Sequence, residues 1–268
     1  MSMSLDDRMK QYEYVTRTYL TRKIPAIIRI DGKAFHTFTK GFKKPFDMVL
    51  MSAMQNTMKS LCEQIQGCVF GYTQSDEITL VLTDYATVDT DAWFGYNVQK
   101  MASIASSMAT LYFNKHFKEA VSIYAGSAAE EEEVYIPRLC SRFDSAMFDA
   151  RAFSLPKEEV CNCLIWRQQD AIRNSVQAVG QAFFSAKQLD GKSNEEIKIM
   201  LLREHEIDWT KYFPSCQRGS CCYKVEKQQR MEDPRNPGMQ IIVRRSMWEL
   251  DNVIPLFVNS RDYVERWL

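Results

Sequence analysis

Glycine and proline are scarce in this chain, with 10 glycines and 8 prolines among 268 residues. This scarcity excludes collagen-like and low-complexity classes, and a content of 46% hydrophobic and 25% charged residues is that of a globular protein. The longest uncharged run, residues 101–114, contains four Ser or Thr. It is therefore too short and too polar to span a membrane.

The net charge is zero, histidine is scarce, and the first ten residues contain no apolar run. There are 34 basic and 34 acidic residues, so the chain lacks the excess of positive charge that a strongly basic nucleic-acid binder has. A local basic patch on the surface is still compatible with this balance. Three histidines argue against a His-rich metal site. Because the first ten residues have no apolar core, we expect no secretory signal and a cytoplasmic protein that is not bound to a membrane.

Eight cysteines are present, but no C-x-x-C pair occurs and the spacing fits no zinc pattern. Cys161 and Cys163 are two residues apart and would diverge on a helix. Without a secretory signal, we expect all eight to be reduced thiols.

The first part of the chain alternates between strand-like and helix-like patterns. The predicted elements are a strand at 24–31, a helix at 47–66, strands at 68–72 and 78–82, a helix at 91–116 and a strand at 147–154. The order βαββαβ predicts an α+β fold, with a ferredoxin-like sheet and helices on one face. We assign it to a first domain of residues 1–155, in which the acidic run 130–133 is a solvated loop.

The second part, residues 156–268, is predicted to be a helical and β-hairpin region that packs on the first domain. One long helix is expected over 157–189, followed by a capping box at Ser193 and Glu196 that opens a short helix. Strand-like stretches at 220–225 and 239–248 predict a hairpin.

Two acidic positions come together in this predicted sheet. Asp31 ends the first strand, and Asp76 with Glu77 forms the tip of the next hairpin. Carboxylates that converge there, with the carbonyl of Gly32, are hard oxygen ligands suited to Mg²⁺, and two such ions serve phosphoryl transfer. The alternative is that both aspartates are ordinary turn residues.

A basic segment follows the first of these aspartates. Lys33, Lys40, Lys43 and Lys44 would neutralise a triphosphate beside a magnesium site. The alternative is that these lysines form a solvent-exposed basic loop, which is the more common role of a lysine cluster. No Walker A sequence is present, so the chain is not a P-loop enzyme.

Five motifs resemble the tRNA-histidine guanylyltransferase family. They are R-I-D-G-x-x-F-H-x-F at 29–38, K-P-x-D at 44–47, G-Y-x-Q-S-D-E at 71–77, W-R-Q-x-D at 166–170 and R-G-S at 218–220. The resemblance spans roughly residues 10–225. It implies a polymerase-type palm domain and the 3′-to-5′ addition of nucleotides to the 5′ end of tRNA, with GTP and ATP as substrates. In this chemistry the 5′-phosphate is activated by a nucleoside triphosphate, and the 3′-hydroxyl of an incoming nucleotide then attacks it.

The resemblance also suggests residue roles. Asp31 and Asp76, with the Gly32 carbonyl, resemble the ligands of two Mg²⁺ ions, and Glu77 resembles the accompanying catalytic acid. Nucleotide or phosphate contacts are implied for five further residues, Lys33, His36, Lys44, Ser75 and Lys100.

The sequence departs from the family pattern after W-R-Q-x-D. The eukaryotic guanylyltransferase proper carries a histidine two positions later, whereas Ala171 and Ile172 stand here. The chain therefore looks more like the bacterial and archaeal guanylyltransferase-like branch, which repairs 5′-truncated tRNA under template direction. The neighbouring polar residues Gln168, Asp170, Arg173 and Asn174 are candidate tRNA contacts, or simply an exposed helix face.

We therefore expect a Mg²⁺-dependent nucleotidyltransferase with tRNA and nucleoside triphosphates as partners. Addition of a single G to tRNA-His remains an alternative, as do a palm-type cyclase acting on free nucleotides and a non-catalytic tRNA-binding protein. Since one neutral subunit offers limited basic surface and family members resemble dimers of dimers, we also expect a homotetramer.

Overall fold

In the computed structural model, six strands form one antiparallel sheet in the order β4-β1-β3-β2-β5-β6. Residues 3–127, 129, 134–232, 236 and 238–268 are described, so the predicted acidic loop at 130–133 lies outside them. The strands are β1 (Ala26–Gly32), β2 (Cys68–Gln74), β3 (Glu77–Leu82), β4 (Phe148–Ser154), β5 (Ser220–Glu232) and β6 (Gln240–Asp251).

Helices connect and cover this sheet. They are α1 (Leu5–Tyr14), α2 (Phe35–Phe38), α3 (Met48–Gln64), α4 (Val98–Ser127), α5 (Ile136–Cys140), α6 (Lys157–Phe183), α7 (Ala186–Leu189), α8 (Asn194–His205), α9 (Pro214–Arg218) and α10 (Asp262–Glu265). The first four strands with α3 and α4 follow the order βαββαβ, which confirms the ferredoxin-like α+β prediction.

The alternation of β1 sends its side chains into two separate cores. Ile28 and Ile30, both fully buried, pack with α3 and α4 on one face, while Ile27 packs with α6 on the other. Burial of each isoleucine contributes roughly 1.5–3 kcal/mol. The predicted helix layer on one face is thus present, and α6 adds a second layer on the opposite face, where Arg29 and Asp31 also lie.

Local signals explain where several helices begin. The Asp47 carboxylate accepts a hydrogen bond from the backbone N–H of Leu50 at 2.9 Å and so caps α3, as predicted. The capping box of Ser193 and Glu196 opens α8, also as predicted.

Two helix predictions need correction. The helix expected over 157–189 stops at Phe183, because Phe184 is extended and Ser185 caps the separate α7. The helix expected over 91–116 begins only at Val98, since left-handed residues at 94–96 interrupt it, and it continues to Ser127.

The C-terminal hairpin is part of the main sheet. β5 pairs with β2, and β6 forms the sheet edge. Ile254, Phe257 and Val264 of the final segment are fully buried against α6. Residues of the region 156–268 thus share the sheet and the α6 core with the first part of the chain. The division into two domains near residue 155 stays a prediction.

Candidate active site

The ends of two interior strands bring Asp31 and Asp76 close to each other. Asp31 lies opposite Glu77 in the β1–β3 register, and Asp76 occupies the turn between β2 and β3. The backbone N–H of Gly32 donates to the carbonyl of Asp76 at 3.1 Å, which ties the end of β1 to that turn. Ser75 takes the left-handed conformation that this tight connection requires.

Both aspartates lie where a negative charge is unfavourable. Burial raises the pKa of Asp31, and the neighbouring Asp149 raises it further. Burial also raises the pKa of Asp76, and the charge of Asp31 adds to that rise. Two carboxylates that are partly buried and lie near other negative charges are suited to a shared cation, because its positive charge would offset both the burial and the repulsion.

The oxygen atoms of Asp31, Asp76 and Gly32 are suited to a Mg²⁺ ion that is also bound by substrate, but not to a metal site made of protein ligands alone. Among the described residues, no group of three or more His, Cys, Asp or Glu side chains is arranged to hold a metal ion. Mg²⁺ commonly uses one or two carboxylates together with substrate phosphates. Asp31, Asp76 and the carbonyl of Gly32 match that pattern.

A cleft of about 510 Å³ opens beside Asp76 and collects most of the predicted nucleotide contacts. His36, Lys44 and Ser75 line it together with Gly32. The side chain of Lys33 is exposed at the start of the same loop, outside the residues that line the cleft.

The basic loop of this cleft is held in place by α4 and α5. Lys43 donates to the Tyr124 hydroxyl at 2.8 Å, and its ammonium lies 5.0 Å from the centre of that ring. The Tyr135 hydroxyl donates to Asp47, the cap of α3. These contacts fix the loop and leave the Lys44 side chain, which is exposed, facing the cleft.

A second, smaller cleft of about 190 Å³ lies on the α6 side of Asp31, and the sequence did not reveal it. Its lining adds two arginines from neighbouring strands, Arg29 of β1 and Arg151 of β4, which face each other in the β1–β4 register. The Arg29 guanidinium lies 5.4 Å from the ring centre of Trp166, which is 49% exposed. The signal available in the sequence was the alternation of β1, which puts Arg29 and Asp31 on one face.

Glu77 is committed to an ion pair with α6. Both of its oxygens accept from Arg167, from Nε and from one terminal nitrogen, at 2.7 Å each, and both side chains are buried. Arg167 also donates to Asp170 at 3.0 Å, which accepts from Arg173 at 2.8 Å. Glu77 thus orients α6 from beside Asp76, and its predicted role as a catalytic acid remains untested.

Gln168 does not present its side chain to solvent. It is 3% exposed, its amide nitrogen donates to the carbonyl of Pro255 at 2.9 Å, and its amide oxygen accepts from the N–H of Phe257 at 2.8 Å. Because both ends of the amide hold the C-terminal segment, this placement argues against the predicted tRNA contact. Arg173 and Asn174 are exposed on α6, and their contact with tRNA stays a prediction.

Lys100 lines neither of the two clefts beside the aspartates. It occupies the first turn of α4, which begins beside residues 18–20, ahead of β1, where Val98 N–H donates to the Thr18 carbonyl. Lys100 lines a different cleft, shared with Arg17 and Phe94. The phosphate contact of Lys100 stays a prediction.

The R-G-S motif has a structural position. Gly219 is left-handed, and a Cβ there would lie 2.4 Å from the carbonyl oxygen of Thr73. Arg218 donates to the carbonyl of Ile254 at 2.7 Å, and Ser220 accepts from Gln55 at 3.0 Å. The motif therefore seats β5 against β2 beside the β2–β3 turn.

The fold and this site define a class of enzyme: nucleotidyltransferases built on a palm-like antiparallel sheet, with paired carboxylates at the ends of interior strands and basic residues beside them. Comparison with known proteins makes this specific. Residues 6–156 match the family model described as Thg1, tRNA-His guanylyltransferase, and the chain belongs to this family.

Solved structures and a curated relative agree with the assignment. A bacterial tRNA(His) guanylyltransferase (Thg1)-like protein in complex with ATP superposes with a TM-score of 0.79, at 38% identity over 98% of both chains. A GTP complex described in the same way gives a TM-score of 0.74 at 35% identity over 99% of both chains. A probable tRNA(His) guanylyltransferase of Dictyostelium discoideum is 25% identical and covers 82% of this chain and 84% of its own.

The resemblance to the bacterial branch is thereby confirmed, and the chain is a nucleotidyltransferase of tRNA processing. In the part of the chain that the structure describes, no helix has the length and apolar character needed to cross a membrane.

Proposed function

We propose that this enzyme is a Mg²⁺-dependent nucleotidyltransferase that extends the 5′ end of tRNA in the 3′-to-5′ direction and repairs 5′-truncated tRNA under template direction. The observation that carries the proposal is the placement of Asp31, Gly32 and Asp76 between two clefts that each contain cationic side chains. A reaction between a nucleoside triphosphate and a phosphorylated RNA end needs two anionic groups to meet, and this arrangement provides for both.

The larger cleft is suited to the nucleoside triphosphate. Lys44 supplies a positive charge and Ser75 a hydroxyl at the rim where Asp76 lies, while His36 lies on the adjoining short helix. The relatives described in complex with ATP and with GTP support both nucleotides as substrates. These residues would position the triphosphate so that its α-phosphorus faces the carboxylates.

Asp31, Asp76 and the Gly32 carbonyl would hold the Mg²⁺ ions. Bound there, the ions would neutralise triphosphate charge and lower the pKa of the attacking hydroxyl. The protein's own contribution is to hold both carboxylates in place through the β1–β3 register and the Gly32–Asp76 hydrogen bond.

The smaller cleft is suited to the second anionic group. Arg29 and Arg151 stand next to Asp31, and the exposed ring of Trp166 offers a surface on which a terminal base could stack. The activated 5′ end of the RNA is the group we place there. Arg173 and Asn174, further along α6, would contact the tRNA body.

Substrate selection is proposed to come from base pairing. Ile172 is half-buried and packs in the core formed by α6 and α8, so it cannot hydrogen-bond a base edge. We therefore propose that the missing 5′ nucleotide and the opposite strand of the acceptor stem decide what is added. The names of the curated relatives keep addition of G to tRNA-His as the second candidate.

The working form is proposed to be a homotetramer, so that one tRNA can contact several subunits. A cytoplasmic location is proposed because all eight cysteines are free thiols, five of them buried.

The test is a comparison of two RNAs. Purified enzyme with Mg²⁺ is given a 5′-truncated tRNA or intact tRNA-His, with each of the four nucleoside triphosphates in turn. We expect higher efficiency on truncated tRNA of several identities, with the added base complementary to its template. Preferred addition of a single G to intact tRNA-His, whatever base lies opposite, would instead establish the second candidate.

A further inference from the structure

The edge of the sheet at β4 has a free row of backbone groups. β4 pairs with β1 alone among the described residues. Lys33 N–H donates to the carbonyl of Met147, and Leu155 N–H donates to that of Pro25, so odd-numbered residues of β4 bond towards β1. The N–H and C=O groups of Ala150 and Ala152 therefore point away from the sheet, where no described residue bonds to them.

Helix α4 covers only the beginning of this edge. The Asn114 side chain donates to the carbonyl of Ala146 at 3.0 Å and accepts from its N–H at 3.3 Å. The Thr110 hydroxyl accepts from the N–H of Phe148 at 3.2 Å. From the carbonyl of Phe148 onwards the edge is open, and it contains neither a proline nor a lysine to block pairing with another strand.

The charges on β4 favour one partner. Asp149 and Arg151 lie on the same face and form a long ion pair within the chain, at 3.9 Å, with side chains 58% and 61% exposed. In an antiparallel pair of two β4 strands with Ala150 opposite Ala150, Asp149 of each copy lies opposite Arg151 of the other. A shift by two residues in either direction would instead oppose two aspartates or two arginines. Charge therefore selects a single register, and β4 is complementary to itself.

We propose that a second copy of this chain adds its β4 to this edge, with the two-fold axis at Ala150. The Ala150 N–H of each copy donates to the Ala150 carbonyl of the other, and each Ala152 N–H donates to the other copy's Phe148 carbonyl. In this arrangement the Ala152 carbonyl of each copy takes the place of the Thr110 hydroxyl at the other copy's Phe148 N–H, and the Asn114 bonds to Ala146 limit the hydrogen-bonded pairing to residues 148–152. The sheet then continues across two subunits, and the contact is isologous.

Side chains along the same edge support a protein partner. An open groove of about 930 Å³ runs between α4 and the start of β4, and Leu111 and Met147 in it are 66% and 53% exposed. In the proposed register, Phe153 of the second copy, which is half-buried against the α6 core of its own chain, lies opposite Met147. The pairing would thus bury apolar surface together with the backbone groups.

The inference goes beyond the proposed function, which leaves the contacts between subunits open, and it also touches the site. Asp149 lies opposite Asp31 in the β1–β4 register. Arg151 of the second copy would therefore stand beside Asp149, and Asp149 separates it from Asp31.

Charge reversal tests the surface, with oligomer mass by light scattering as the measurement. Asp149→Arg and Arg151→Asp should each halve the mass or raise the dissociation constant at least tenfold, and the double variant Asp149→Arg/Arg151→Asp should restore the wild-type value. Arg245→Asp, on β6 at the opposite edge, is the matched control and should leave the mass unchanged. A monomeric wild type, or single variants that keep the wild-type mass, would overturn the proposal.

Cross-linking tests the register without relying on the stability of the charge variants. Opposed residues that do not exchange hydrogen bonds have Cα atoms about 4.5 Å apart, within the range of a disulfide. Under mild oxidation, Asp149→Cys/Arg151→Cys should give a covalent dimer joined between residues 149 and 151, and each single cysteine variant should not. Absence of the 149–151 link in the double variant, or an equal yield from a single variant, would refute the register.

Discussion

The buried pair of Glu77 and Arg167 allows a quantitative prediction. Replacing Arg167 by Met leaves a buried carboxylate whose remaining side-chain contact is the Thr79 hydroxyl at 3.5 Å. Removing one partner of such a pair costs about 3–5 kcal/mol. Replacing Glu77 by Gln should cost less, because Arg167 retains Asp170 at 3.0 Å. The two single variants should therefore be destabilised unequally, and Arg167→Met more strongly.

The assay is urea denaturation of the single variants and of Glu77→Gln/Arg167→Met. We expect the double variant to be more stable than the sum of the single losses predicts, by about 2 kcal/mol, because it leaves no unpaired buried charge. In thermal melts, a loss of about 3–5 kcal/mol corresponds to roughly 6–20 °C. The control is Arg173→Met: its exposed pair with Asp170 should be worth less than about 1 kcal/mol. Additive losses, or a cost below about 1 kcal/mol for Arg167→Met, would refute the reasoning.

Four further substitutions have expected outcomes. Asp31→Asn and Asp76→Asn should each keep or raise the melting temperature of the metal-free protein, because burial disfavours both charges and so does a neighbouring carboxylate, Asp149 for Asp31 and Asp31 for Asp76; a fall in melting temperature would contradict this. Gly219→Ala should cost at least about 2 kcal/mol in urea denaturation, since its Cβ would collide with the carbonyl of Thr73 in a left-handed backbone; a neutral effect would disprove the contact. Lys44→Ala should raise KM for the nucleoside triphosphate at least tenfold in steady-state kinetics without loss of melting temperature, and an unchanged KM would remove Lys44 from the nucleotide cleft.

Local signals made much of the fold predictable. The apolar stripe of α3 with its Asp47 cap, the short loop between β2 and β3 and the capping box of α8 are all encoded within a few residues. The break after Phe183 was not, because the stripe continues through it and only Ser185, a modest capping signal, marks it. The pairing of β5 with β2 joins segments about 150 residues apart, and no local pattern specifies such a contact.

The candidate site, like the fold, could be predicted from the sequence only in part. Asp31 and Asp76 could be placed together because the predicted strand order puts the end of β1 next to the turn between β2 and β3. The partner of Glu77 could not be identified, because Arg167 lies on α6 and contacts Glu77 across the gap between the sheet and that helix. In the sequence, Arg167 was only an arginine three residues before Asp170. Gln168 and Lys100 show the converse: a motif gives a residue type at a position, whereas burial and the direction of α4 decide what that residue can reach.

The most direct test of the central claim is single-turnover extension of a 5′-truncated tRNA by wild-type enzyme, Asp31→Asn and Asp76→Asn, with tRNA binding measured in parallel. If the carboxylates of Asp31 and Asp76 carry out nucleotidyl transfer, each substitution should reduce the rate by at least a thousandfold, while tRNA affinity changes by less than threefold. A variant that binds tRNA normally and transfers nucleotides at a rate near that of the wild type would show that the chemistry takes place elsewhere.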